Sequence, residues 1–108
     1  TEWQRAVENA AGRADFLFVT NYHTLRRSAD DDSIVPSSEV ARWTEAHTDL
    51  LTVGAWGFFV EDGGMLAIGV SPYEQGQIAA GMAVDIIDDG ALPADLPIRS
   101  TSQFIVYL

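Results

Sequence analysis

The apolar residues of this chain occur in short unbroken runs, separated by longer stretches in which they recur every three or four positions. Unbroken runs of branched and aromatic side chains are typical of strands buried on both faces of a parallel sheet, and the longer recurrence is typical of helices. The order helix, strand, helix, strand, strand, helix, strand predicts an α/β fold with a mainly parallel sheet flanked by helices. The strands are predicted at residues 16–19, 50–53, 65–70 and 104–108, and the helices at residues 2–11 and from Pro36 and Ser71 onward.

The junction at Ser71 carries the clearest local signal in the chain. A serine hydroxyl can cap a helix, proline suits the first helical position, and a glutamate three residues after the cap is typical of a capping box. Ser71, Pro72 and Glu74 supply these three features, and Gly90 supplies a stop after Asp88 and Asp89. We therefore predict a strand that ends at Val70 and turns directly into a long helix. Residues 61–64 (Glu-Asp-Gly-Gly) are predicted to form a turn.

Charge and composition restrict the partners that this chain can have. The net charge is -10 over 108 residues, and all six basic residues are arginines. A strongly acidic chain is a poor match for a nucleic-acid backbone, so nucleic acid is excluded as an expected partner. No apolar run approaches the length needed to cross a bilayer. Since the chain starts at Thr1 and closes on an apolar run at Leu108, we expect it to be a fragment of a longer protein.

Few residues carry a signature of catalysis or of cofactor binding. Ser71 lies at a strand-to-helix turn two residues after Gly69, as in a nucleophile elbow, but Tyr73 stands where that motif has its second glycine. A capping role for Ser71 is therefore favoured over the role of a hydrolase nucleophile. His23 and His47 lack the spacing of zinc ligands, and cysteine is absent. Neither a calcium loop nor a glycine-rich phosphate motif is present. We therefore predict no catalytic residue, no metal and no cofactor.

Polar and aromatic residues follow each of the first three predicted strands. Because the carboxyl ends of parallel strands share one edge of a sheet, a single small molecule could contact all of them. The alternative is that Trp56 and its aromatic neighbours pack against other parts of the fold. The predicted ligand-binding residues are Asn21 and Tyr22 after the first strand, Trp56 after the second, and Ser71 and Tyr73 after the third.

The segment 69–76 (GVSPYEQG), continuing through 79–83 to Ile87, Gly90 and residues 93–98, resembles the C-terminal part of the ABC transporter substrate-binding protein family, whose members have the type 1 periplasmic binding fold. Residues 15–21 and 50–55 fit strands that the family has earlier in its order. The resemblance covers nearly the whole chain and is strongest from residue 69 to residue 98.

The resemblance implies a Rossmann-like lobe of a type 1 periplasmic binding protein, with residues 1–108 as a single α/β fragment and the helix at 71–92 belonging to the partner lobe. It implies a non-catalytic, periplasmic or extracytoplasmic protein that binds a small organic solute and delivers it to a membrane permease. It also implies that an isolated fragment pairs with a second copy, because surface meant for the absent lobe is exposed.

By position, Asn21 and Ser71 match polar ligand contacts of the family, whereas Trp56 stands where many members have an acidic or polar residue. This departure disfavours recognition of a ligand ammonium by a carboxylate and leaves stacking or cation–π contact. Two alternatives stay open at this point. In the first, the same fold is the ligand-sensing domain of a signalling or transcription regulatory protein. In the second, the protein is an enzyme whose nucleophile is Ser71.

Overall fold

The computed structural model describes all residues from Thr1 to Leu108 and contains helices and strands in regular alternation. The helices are α1 (Glu2–Glu8), α2 (Ser37–Ala46), α3 (Phe58–Glu61), α4 (Pro72–Ile87) and a 3-10 turn (Pro93–Asp95). The strands are β1 (Phe16–Val19), β2 (Leu51–Gly54), β3 (Ala67–Val70) and β4 (Phe104–Tyr107). None of the helices combines the length and apolar character that crossing a membrane requires.

The four strands form one sheet in the order β1-β2-β3-β4. β1 pairs in parallel with β2, with Phe16 opposite Leu51, and β2 pairs in parallel with β3. The predicted α/β fold with a mainly parallel sheet is therefore confirmed. The finer assignment to a lobe of a periplasmic binding protein stays a prediction.

The chain divides into two compact units. The first unit contains residues 1–69 and 106–108, and the second contains residues 70–105. The sequence-based expectation treats the chain as one fragment whose helix at 71–92 belongs to a partner lobe, and that expectation stays a prediction.

The core of the first unit lies between the sheet and α2. Val19, Tyr22, Val40, Ala41 and Phe59 form a cluster of buried side chains. The buried residues of α2 lie on one face of the helix, and exposed and more buried residues alternate along β1.

Polar side chains fix α2 to its neighbours within this unit. The indole Nε1 of Trp3 in α1 donates a hydrogen bond to the hydroxyl of Thr44 at 3.0 Å, and that hydroxyl donates to the carbonyl of Val40 at 2.8 Å. On the sheet side, the buried hydroxyl of Thr52 donates to the carboxylate of Glu45. Each buried hydroxyl therefore has a partner, which avoids the desolvation cost of an unsatisfied polar group.

Only one face of the sheet is covered in the first unit. Thr52 and Ala67 are fully buried on the face that α2 covers, whereas Phe18 is 59% exposed on the opposite face. The expectation that these strands are buried on both faces is therefore wrong. When neighbouring parallel strands follow one another in chain order, right-handed connections place their helices on the same side of the sheet. The other side of the sheet is then left uncovered.

The sequence analysis also missed the short helix α3. The predicted turn at residues 61–64 is present, with Gly63 at a φ of 110°, but the preceding residues 58–61 are helical. A four-residue helix with no side-chain cap has too little periodicity to be recognised. Its position is set by Phe59, whose ring lies directly against Gly54 of β2.

The second unit is built around α4. The hydroxyl of Ser71 accepts a hydrogen bond from the backbone N–H of Glu74 at 3.3 Å, so the predicted N-cap is confirmed. The reciprocal half of the predicted capping box is wrong, because the Glu74 carboxylate instead accepts the backbone N–H groups of Ser102 at 3.0 Å and Gln103 at 2.8 Å. These bonds to the ionised form lower the pKa of Glu74. The second unit therefore uses Glu74 to hold the segment that leads into β4.

Candidate functional site

The carboxyl ends of β1 and β2 lie side by side in the first unit. Val19 is opposite Gly54, and the N–H of Ala55 donates to the carbonyl of Val19 at 2.9 Å. The segments that follow, residues 20–23 and 55–58, therefore leave the sheet from the same edge. This is the place where open parallel sheets bind their ligands.

Tyr22 is the buried anchor of this edge. It is 1% exposed, and its hydroxyl donates a hydrogen bond to Oδ2 of Asp62 at 2.7 Å. Burial, followed by the hydrogen bond to Asp62 and the charge of that carboxylate, raises the pKa of the Tyr22 phenol well above its usual range. The phenol therefore stays neutral and serves as a hydrogen-bond donor inside the protein.

Asp62, at the end of α3, connects three segments. Besides Tyr22, its carboxylate accepts the hydroxyl of Ser37 at 3.1 Å, at the first turn of α2. The Nε2 of His23 lies 4.0 Å from Oδ2. The Asp62 side chain is 19% exposed, so these contacts are partly shielded from water. Asp62 thus holds the loop after β1, the start of α2 and the end of α3 together.

Three aromatic side chains form a continuous surface above this anchor, and we call His23, Trp56 and Phe58 the aromatic rim. The His23 ring stacks on Tyr22 at 4.6 Å and meets the Phe58 ring edge-on at 4.6 Å. The Trp56 ring stacks on Phe58 at 6.4 Å and 20°. His23 and Trp56 are each close to half exposed, at 46% of the side chain and 44% of the residue. The rim therefore offers flat apolar faces together with one imidazole to a molecule in solution.

The five predicted ligand-binding residues have different surroundings. Asn21 is exposed in the loop after β1, Trp56 belongs to the rim, and Tyr22 lies beneath it. In the second unit, Ser71 is 7% exposed with its hydroxyl used as the cap, while Tyr73 is 75% exposed. The structure therefore brings Tyr22 and Trp56 together through Phe58 and gives Ser71 a structural role.

The sequence analysis did not find the parts played by His23, Phe58 and Asp62. His23 follows the first predicted strand next to Tyr22 but is not among the five predicted ligand-binding residues, and its approach to Asp62 has no signal in the sequence. Asp62 lies 40 residues from Tyr22, and its position before two glycines is typical of a turn residue. The sequence signal for this surface is the aromatic run 56–59, whose members can be either core residues or ligand contacts.

Two polar side chains at this edge converge on Asp62. Ser37 and His23 both face Asp62 and do not hydrogen-bond each other, so they do not form a nucleophile and its base. No group of three or more histidine, aspartate or glutamate side chains is arranged to hold a metal ion. What the edge presents is stacking surface and a few polar atoms.

The first unit also contains a cleft that lies away from the aromatic rim. A cleft of about 720 Å³ is bounded by α1, α2 and the loop formed by residues 25–35, and none of the five predicted ligand-binding residues lines it. The loop is closed by a bridge between Arg26 and Ile34.

In comparisons with known proteins, no family model matches the chain, and no curated protein or solved structure is significantly similar to it. The resemblance of residues 69–98 to the ABC transporter substrate-binding family therefore stays a prediction from the sequence.

Proposed function

We propose that this chain is part of the non-catalytic, solute-binding component of an ABC-type transport system. The observation that carries the proposal is the exposed aromatic rim at the shared carboxyl edge of two parallel strands. A parallel sheet directs its ligands to that edge, and small-molecule sites combine aromatic faces with a few oriented polar groups.

The rim suits a small organic solute with a flat or apolar part. Trp56 is 44% exposed, and its ring stacks on Phe58. Asn21 and His23 are exposed in the loop after β1 and supply an amide and an imidazole for hydrogen bonds. The rim is held in place from below, since Tyr22 is fixed by Asp62. A prearranged surface loses little conformational entropy when it binds.

The partner and the compartment belong to the same proposal and rest on the resemblance. The solute is delivered to a membrane permease, and the protein works in the periplasm or another extracytoplasmic space. Residues 69–98 support this part, because Ser71 caps α4 at the place where the resemblance puts the strand-to-helix junction.

Mass spectrometry of small molecules that stay bound to the purified protein tests the proposal. We expect a solute to be retained by the native chain and lost from the variant Trp56→Ala. Phe16→Ala is the control, because it removes an exposed aromatic ring, 53% exposed against 44% for Trp56, from the opposite, amino end of β1. Equal retention by the native chain and by Trp56→Ala would refute the rim as the binding site.

A further inference from the structure

The cleft between α1 and α2 has an apolar floor made by two tryptophans and three aliphatic residues. Trp3 and Trp43 contribute indole rings to its lining, and Leu25, Val35 and Val40 contribute aliphatic side chains. Trp3 is held by its hydrogen bond to Thr44, and Trp43 stacks on His47 at 4.0 Å and 12°. The floor is therefore built from rings whose orientations are already fixed. Its volume of about 720 Å³ is within the range of small-molecule sites.

Arginines gather at the mouth of this cleft. Arg5, Arg26 and Arg27 line it, half of the six basic residues in a chain of net charge -10, against two carboxylates, those of Glu2 and Glu39. Such a concentration of positive charge on an acidic protein marks a place where an anion is locally favoured.

The three arginines differ in what already holds them. Arg27 makes two hydrogen bonds of 3.2 Å with the carboxylate of Glu39, and Arg26 makes one of 2.6 Å with Asp32. Arg5 makes no ion pair and no side-chain hydrogen bond. Its five N–H donors are thus available to a carboxylate, which a guanidinium binds through two parallel hydrogen bonds.

We propose that this cleft is a second binding site, for a small organic anion whose flat apolar body packs against Trp3 and Trp43 and whose carboxylate pairs with Arg5. The site is separate from the aromatic rim, because no residue of the rim lines the cleft. The inference therefore goes beyond the solute site proposed above. A flat apolar cation is disfavoured here, since the three arginines that line the cleft outnumber its two carboxylates, Glu2 and Glu39.

The test uses 2-naphthoate as the anion and 2-naphthalenemethanol as its neutral counterpart. Calorimetry measures both affinities, and the indole N–H resonances of ¹⁵N-labelled protein report where binding occurs. The chain has three tryptophans, with Trp3 and Trp43 in the cleft and Trp56 at the rim. We expect naphthoate to shift the Trp3 and Trp43 signals, to leave the Trp56 signal unchanged, and to bind more tightly than the alcohol.

Arg5→Gln should weaken naphthoate binding by about tenfold, the range for a lost charge-assisted hydrogen bond, and leave binding of the alcohol unchanged. Arg13→Gln is the matched control, because it removes the same charge from a residue that does not line the cleft and should not alter either affinity. Unchanged indole signals in both variants would show that the fold is intact.

Three results would each overturn the proposal. These are equal affinity for naphthoate and the alcohol, an Arg5→Gln variant that binds naphthoate as tightly as the native chain, and shifts confined to Trp56. The last result would place the anion at the rim, where it would support the solute site instead. Loss of binding in Trp56→Ala with retention in Arg5→Gln separates the two sites.

Discussion

Single residues fix the position of the loops at the sheet edge. The Asp62 carboxylate accepts hydrogen bonds from Tyr22, which is almost wholly buried, and from Ser37 in α2. Neither partner is close to Asp62 in sequence. Removing the carboxylate leaves the buried Tyr22 hydroxyl without an acceptor.

Replacing Asp62 with alanine should lower the free energy of unfolding by about 1–3 kcal/mol, the cost of leaving a buried hydroxyl unsatisfied. Urea unfolding followed by circular dichroism measures the change. Asp30→Ala is the control, because its carboxylate is exposed and unpaired, and it should change stability by less than about 0.5 kcal/mol. An Asp62→Ala variant as stable as Asp30→Ala would contradict the role given to Asp62.

The raised pKa of Tyr22 gives a pH dependence with a definite sign. Above pH about 10 an unfolded tyrosine releases its proton while folded Tyr22 keeps it, so the unfolded state binds fewer protons and stability falls as pH rises. We expect the free energy of unfolding to fall less steeply in Tyr22→Phe than in the native chain over that alkaline range. Chemical unfolding at a series of pH values measures both slopes, and Tyr73 and Tyr107 contribute equally to both proteins. Parallel slopes would show that Tyr22 does not resist ionisation.

The sequence predicts part of this edge at the residue scale and not the rest. Asn21, Tyr22 and Trp56 can be located because each follows an unbroken apolar run, and the ends of such runs mark the ends of strands. That Tyr22 points inward cannot be inferred in the same way, because it lies beyond the strand, where alternation no longer applies. The contact with Asp62 joins residues 40 positions apart and has no local signal.

At the scale of the elements, close packing between α3 and β2 depends on a missing side chain. A Cβ at Gly54 would lie 2.6 Å from the Cβ of Phe59, closer than two such atoms can approach. Gly76, inside α4, has nothing within 4 Å of the same position. Substitution by alanine should therefore have opposite effects on stability at Gly54 and at Gly76.

Gly54→Ala should lower stability by about 1–3 kcal/mol because Phe59 must be displaced from the core. Gly76→Ala should raise it by about 0.5–1 kcal/mol, since alanine favours a helix interior over glycine. Thermal unfolding of both variants beside the native chain gives the two signs. A stabilising Gly54→Ala would mean that Phe59 is not packed against β2.

A helix or strand of this protein can be predicted from the sequence where it carries its own hydrophobic periodicity or its own cap. The helix α4 is recognisable from Ser71 and Pro72, and β1 from its unbroken apolar run. The helix α3 is not, because it is four residues long and owes its place to Phe59. The bare face of the sheet was also missed, because an apolar run shows that side chains avoid water and does not show which element covers them.

For the whole molecule, the uncovered face of the sheet is the main exposed apolar surface of the first unit. Phe16, Phe18, Leu51 and Ile68 are between 45% and 59% exposed there. Contiguous apolar surface of a few hundred Å² on a water-soluble domain marks a contact site. The parallel register places Phe16 opposite Leu51, so these side chains form one patch across strands.

We expect the chain to self-associate as its concentration rises, with this patch at the contact. Sedimentation velocity over a concentration series measures the association, and the variant Phe18→Gln should weaken it. Ile87→Gln serves as the control, since it removes an exposed apolar side chain from the second unit. A single unassociated species at every concentration, or equal association in both variants, would rule out the patch.

The place of Tyr107 has a consequence for how the chain folds while it is being synthesised. Its ring lies so close to Gly57 that a Cβ there would be 2.6 Å from the ring. The first unit thus includes residues 106–108 together with residues 1–69. A ribosome must translate the intervening 36 residues, 70–105, before Tyr107 can reach Gly57. On a nascent chain, the first unit therefore cannot complete its fold until the whole second unit has been synthesised. A stalled chain that lacks Tyr107 leaves Gly57 open to water and to chaperones.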